Sequence, residues 1–233
     1  MQKFSDNSIA LEKSKVIKIL LSCFIYMAGK FQFYAFKLAG IIILIFLAQL
    51  LIPGFTELFL LDKEVYFQIW RFFTAIFLHA DLTHLIFNLF GLVLFGSILE
   101  SFIGGKRFLF VFISTGILAN VLSVNFYASS LGASGAIFGV IGALIFLKPM
   151  LVVWTYGLPM PLFIAGVLWA AADILGVFGF GQTGIGNIAH LSGLVFGLLF
   201  GFYFRGLIVR EKRRLRFDID ERAVRNWEEE YMR

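Results

Sequence analysis

Long apolar runs separated by short polar or glycine-rich joints set the pattern of this chain. A helix that crosses the hydrocarbon core of a bilayer needs about 20 mostly apolar residues, fewer where flanking side chains adapt. Six runs meet that need, at residues 38–53, 84–102, 108–126, 133–148, 150–172 and 187–205. The pattern predicts an all-α bundle of six transmembrane helices. A seventh apolar run, VIKILLSCFIYMAG at 16–29, is interrupted by Lys18 and closed early by Lys30. It mimics the core of a secretion signal but lacks a small-residue cleavage site, and it reads as an amphipathic helix lying in the interface. The expected organisation is an interfacial cytoplasmic segment (1–37), a six-helix membrane domain (38–205) and a charged cytoplasmic tail (206–233).

Composition agrees with this. Of 233 residues, 60% are hydrophobic and 15% charged, against about 45–50% and about 25% in soluble domains. The 23 glycines suit helices that pack closely inside a bilayer. Basic residues in short loops stay on the cytoplasmic side. All but two of the 20 lysines and arginines fall in 1–37, in 205–233, or at Lys106, Arg107 and Lys148. The opposite side receives only Lys63 and Arg71, among Glu57, Asp62, Glu64, Asp81 and Asp173. Both termini are therefore predicted to be cytoplasmic. The net charge of +5 is a topology signal, not a nucleic-acid footprint, because the tail EKRRLRFDIDERAVRNWEEEYMR mixes signs as a solvated helix does. The joint 54–83 then lies outside, and its many Phe, Leu and Trp residues predict short amphipathic turns in the headgroup layer. One cysteine, Cys23, excludes an intrachain disulfide. The three histidines, His79, His84 and His190, show no metal-ligand spacing.

Polar side chains inside a bilayer are costly and face the protein interior. Here they share a depth. Spans two, four and six all enter from outside, and their opening turns carry His84 with Asn88, Ser134, and Asn187 with His190. His84 and Asn88 are four apart, Asn187 and His190 three apart, so each pair lies on one helix face. Gly193, Gly197 and Gly201 follow on the face of His190, while Gly135, Gly139 and Gly142 run beside Ser134. Two such glycine faces can meet almost backbone to backbone, which brings Ser134 within reach of the His190 imidazole. A hydroxyl becomes a useful nucleophile only with a base beside it, and imidazole is that base at neutral pH. Asp81 and Asp173 have no depth or phase relation linking them to His190, so the pattern favours a Ser–His dyad over a triad. Oxyanion donors are then the Ser134 amide at its helix start and the side chains of His84 and Asn88. Taken singly, each feature is ordinary: a serine among glycines is more often packing, and a buried histidine more often a structural hydrogen-bonder. Their coincidence at one depth is what points to chemistry.

These residues resemble the rhomboid family of intramembrane serine proteases. The matching motifs are Trp70–Arg71 in the outer loop, HLIFN at 84–88, ExxxG at Glu100–Gly104, GASG at 132–135 and NIAHLSGLVFG at 187–197. They cover about 38–205. The resemblance implies the six-helix fold in its basic prokaryotic form, with Ser134 as nucleophile and His190 as base. It implies an oxyanion site of His84, Asn88 and the Ser134 amide, Gly132 shaping the turn, and Phe138 stacked on His190. It also implies cleavage of transmembrane protein substrates near their outer ends, without cofactor or metal, in a multi-pass protein of a prokaryotic plasma membrane. Relatives that lose the serine or histidine are inactive client-binding proteins; both residues stand here. A small proton or ion pathway is the remaining rival, but it requires polar groups across the inner halves of the spans, which are apolar. For access, the glycine-rich joint ILGVFGFGQTGIG at 174–186 reads as a mobile lid beside Asn187. Span five, with Pro159, Pro161, Trp154, Phe163 and Trp169, reads as a lateral gate or simply as a kinked helix.

Overall fold

A computed structural model describes residues 32–65, 67–180 and 186–217, together with Glu229. The segment at 16–29, the centre of the expected lid and most of the tail lie outside the described residues. Helix α1 (Tyr34–Leu51) opens the bundle. Its first amides have no acceptor within the helix, and a carboxylate from elsewhere in the chain supplies one. Glu100, fully buried, accepts from the backbone N–H groups of Gln32 at 2.8 Å, Tyr34 at 3.1 Å and Ala35 at 3.1 Å. The helix begins four residues before the expected 38, because Lys37 need not be excluded: its ammonium sits 4.9 Å over the ring of Tyr34.

The joint 54–83, expected on the outer side, is folded, not draped. It contains α2 (Phe55–Phe59), β1 (Leu61–Asp62), α3 (Arg71–Thr74) and two 3₁₀ turns, Lys63–Val65 and Ala75–Phe77. Helix α4 (Leu82–Gly91) is capped by the Asp81 carboxylate, which accepts from the His84 N–H at 2.8 Å. It continues through a π turn (Leu92–Gly96) into α5 (Ser97–Ile103) and stops at Gly104, whose φ of 85° reverses the chain. Helix α6 (Gly105–Ser123) follows, then β2 (Ser129–Ser130) and α7 (Ser134–Leu147). Strands β1 and β2 pair antiparallel, Leu61 opposite Ser130 and Asp62 opposite Ser129.

The expected fifth span needs correcting. Residues 150–161 are not helical but form a hairpin, β3 (Val152–Thr155) against β4 (Leu158–Pro161), turning at Tyr156 and Gly157 with φ of 52° and 78°. Proline disfavours helix at the residue before it and cannot donate from its own nitrogen. Pro159 and Pro161 therefore hold this stretch extended, and α8 starts only at Leu162 and runs to Val177. The prolines do not kink a helix, and Trp154 belongs to the hairpin instead of the helix. The lid expected from 174 is also shortened, since 174–177 are the last turn of α8. Helix α9 (Asn187–Phe217) closes the chain's described fold.

Tyr34–Leu51, Leu82–Ile103, Gly105–Ser123 and Asn187–Arg210 are each long and apolar enough to cross a membrane; α7 and α8 are shorter apolar helices among them. Large apolar side chains such as Leu44, Leu50, Phe87 and Phe202 stand exposed on the outer faces, the surface that lipid covers. The most enclosed element is α7, buried at Gly135, Ala136, Ile137 and from Gly139 to Leu144. Chemistry placed on its first turn is surrounded by the rest of the fold.

Candidate functional site

The site begins with a turn held from two sides. Gly132 donates its N–H to the Ala75 carbonyl at 2.8 Å, which ties the segment before Ser134 to the outer joint. Lys63 donates to the Ala128 carbonyl at 2.9 Å and Asn120 Nδ2 to the Phe72 carbonyl at 2.8 Å, fastening the same region. Gly132 has φ of +120°, and a Cβ there would lie 2.7 Å from His84 Cε1. The imidazole of His84 thus rests directly on the backbone of the turn, and a side chain at 132 would displace it. His79 meets His84 edge-on, their ring centroids 5.1 Å apart. Asn88, buried one turn along α4, donates from Nδ2 to the His84 carbonyl at 2.8 Å.

Ser134 is the first residue of α7, so its own N–H has no acceptor within the helix and faces the positive end of the helix dipole. Phe138 lies one turn further on the same face. Its ring stacks on His190, centroids 4.3 Å apart and planes within 5°. The two helices that carry these residues touch through glycines. A Cβ on Gly193 would collide with the Gly135 carbonyl, one on Gly197 with the Gly139 carbonyl, and one on Gly201 would lie 2.8 Å from the Ala143 carbonyl. The register advances in step, 135 with 193, 139 with 197 and 143 with 201, so α7 and α9 run parallel. Ala189 stands beside Gly135, its carbonyl 3.4 Å from a Cβ built there. Ser134 and His190 are the immediate neighbours of that pair. The Gly132 turn beneath His84 and the Phe138 ring beneath His190 bring both histidines to the start of α7.

A carboxylate does reach His190, contrary to the expectation that none would. Asp173 Oδ1 lies 3.1 Å from His190 Nδ1, and both side chains are largely buried. The cause is the antiparallel crossing of α8 and α9. Gly176, three residues after Asp173, receives the Asn187 side chain so closely that a Cβ would clash with its Nδ2. Asn187 is three residues before His190, so the pairs 173–190 and 176–187 face each other along one seam. Tyr127 completes the attachment, its hydroxyl accepting from the Ile188 N–H at 3.0 Å.

Of the residues anticipated from sequence, the structure brings together His84, Gly132, Ser134, Phe138 and His190, with Asn88 below His84 and Asn187 behind His190. It does not bring Trp70 and Arg71 to them. The buried Arg71 guanidinium donates to the carbonyls of Glu57 and Leu60, both at 2.8 Å, and to Gln68 Oε1 at 2.7 Å, which staples the outer joint to itself. Trp70 is half exposed on that joint. Two residues escaped the sequence argument. Asp173 carried a signal, a lone acid in an apolar helix with a glycine one turn away; Tyr127 carried none that distinguishes it from other interfacial aromatics.

Comparison with known proteins gives a match to the Rhomboid domain over residues 66–207, more than half of the chain. The putative rhomboid protease YdcA of Bacillus subtilis is 35% identical over 151 residues, covering 62% of this chain and 70% of that protein. Rhomboid protease GlpG of Serratia proteamaculans is 34% identical over 152 residues, 61% of this chain and 50% of the relative. RHOMBOID-like protein 1 of Arabidopsis thaliana is 33% identical over 141 residues, 59% of this chain but 35% of its own length. The chain thus spans well under half of some relatives that it matches.

Proposed function

The chain belongs to the rhomboid family, and on that premise we propose that it is an intramembrane serine protease acting on transmembrane proteins. Its fold crosses the membrane six times with both termini in the cytoplasm, and Ser134 sits just below the outer face. Ser134 Oγ attacks a substrate peptide carbonyl while His190 takes its proton. The histidine then delivers that proton to the departing amine, and the acyl-enzyme is released by water through the same base. The developing oxyanion is received by the Ser134 N–H with His84 and Asn88, and Gly132 sets the turn that aims them. The natural setting is the plasma membrane of a prokaryote, in keeping with the Bacillus and Serratia relatives, although other similar proteins are named as mitochondrial.

The observation that carries the reading is the stack of Phe138 on His190 with Ser134 one turn away on the same helix face. The test is acylation in purified protein. A fluorophosphonate should label wild-type chain at Ser134 and label neither Ser134→Ala nor His190→Ala, and the same two variants should leave a model transmembrane substrate uncut. Wild-type protein that is folded yet unlabelled would instead favour the inactive, client-binding alternative.

A further inference from the structure

Asp173 has a place in this reaction that the Ser–His pair alone does not describe. An imidazole ring has two freedoms that matter to a general base: the plane in which it lies and its rotation within that plane. The Phe138 stack, planes within 5°, fixes the first. The contact of Asp173 Oδ1 with Nδ1 at 3.1 Å fixes the second. A third property, which nitrogen carries the hydrogen, follows from the same contact. An ionised carboxylate only accepts hydrogen bonds, so the nitrogen against it must be the one bearing N–H. The opposite nitrogen, Nε2, is then the bare one.

We infer that Asp173 is a positioning residue for the base: it locks His190 in the Nδ1–H form, so that Nε2 is the nitrogen offered to Ser134. This rests on the reading of His190 as the base. The arrangement has the logic of a carboxylate behind a histidine in serine hydrolases, built here across a seam between α8 and α9. The seam is close-packed, because Gly176 admits the Asn187 side chain where a Cβ would clash, one turn from the Asp173–His190 contact. Replacing the carboxylate leaves Ser134 and the substrate-binding surfaces untouched, so the loss belongs in kcat and not in KM.

The test pairs turnover with a direct reading of the ring. With only three histidines in the chain, ¹⁵N-histidine spectra in detergent resolve His190 by its disappearance in His190→Ala. At a pH where the ring is neutral, wild type should show a protonated Nδ1 and a bare Nε2. In Asp173→Ala the two tautomers should mix, and kcat should fall at least about tenfold with KM unchanged, the low end of the cost of losing a histidine-orienting partner. Asp173→Asn keeps the volume and serves where the alanine variant does not fold. Across all three proteins kcat should track the fraction of His190 with a bare Nε2. An unchanged tautomer in a variant of reduced kcat, or a changed tautomer at wild-type kcat, overturns the inference. Ring state is read without turnover, so a failure of the protease reading shows separately, as absent labelling of wild-type Ser134.

Discussion

A glycine at 132 does two jobs that a larger residue cannot combine. Its φ of +120° is costly for any residue with a Cβ, and that Cβ would press on His84 at 2.7 Å. Gly132→Ala should cost about 1–3 kcal/mol from backbone strain and should also move the imidazole. The expected result is a lower melting temperature, with a fall in kcat larger than the stability loss explains, measured on the fraction that remains folded. His79 invites a second prediction. It lies outside the helices, almost wholly buried, and its pKa is pushed down to about 4, first by burial and then by the neighbouring His84. The folded chain keeps it neutral, whereas the unfolded chain protonates it near pH 6.5. Its contribution to stability is therefore complete above pH 6.5 and is lost as the pH falls from there toward 4, amounting to roughly 3 kcal/mol at the acid end. His79→Gln should flatten that part of the stability–pH curve, read by denaturation in detergent at several pH values.

Among the elements, α7 and α9 explain why glycines recur every fourth residue. At 193 and 197 there is backbone from the other helix where a Cβ would be. Gly197→Ala should push the helices apart at a cost of about 1–3 kcal/mol or more and should weaken fluorophosphonate labelling of Ser134, although it lies two turns from His190. A probe rate equal to wild type would mean that the glycine seam does not set the geometry of the site. This seam was readable in the sequence, because small residues at helical spacing leave few other roles in a bilayer. The hairpin at 152–161 was not. Its strands alternate, Val152 and Trp154 exposed and Val153 buried, but both faces are apolar beside lipid, so the alternation vanishes from the hydropathy pattern. Asp173 was hidden for another reason. An acid at the end of an apolar helix looks like one reaching for water, and only the crossing of α8 over α9 turns it toward His190.

For the whole molecule, the spacing of basic residues and the parallel run of α7 and α9 point the same way, since two helices separated by one intervening span must run in the same direction. With Cys23 replaced by serine, single cysteines introduced at Glu64 and at Lys148 should divide cleanly in intact cells: a membrane-impermeant maleimide should reach the first from outside and the second only after lysis. Equal labelling of both would overturn the proposed topology. The gathering of His84, Ser134 and His190 at one end of the bundle was legible because it depends on span direction alone. How the outer joint supports them was not legible, because Arg71, Ala75 and Asn120 act through backbone groups that leave no pattern in residue type.

The cap that Glu100 places on α1 also bears on how the chain is made. Its partners, Gln32, Tyr34 and Ala35, are synthesised 65 to 68 residues before it. Helix α1 therefore lacks this acceptor while it is being synthesised and gains it only once Glu100 has followed it. Gly105, pressed against Tyr34, arrives just after and closes the junction. The ends of the two segments are consequently coupled: their shared junction is incomplete until both have been made.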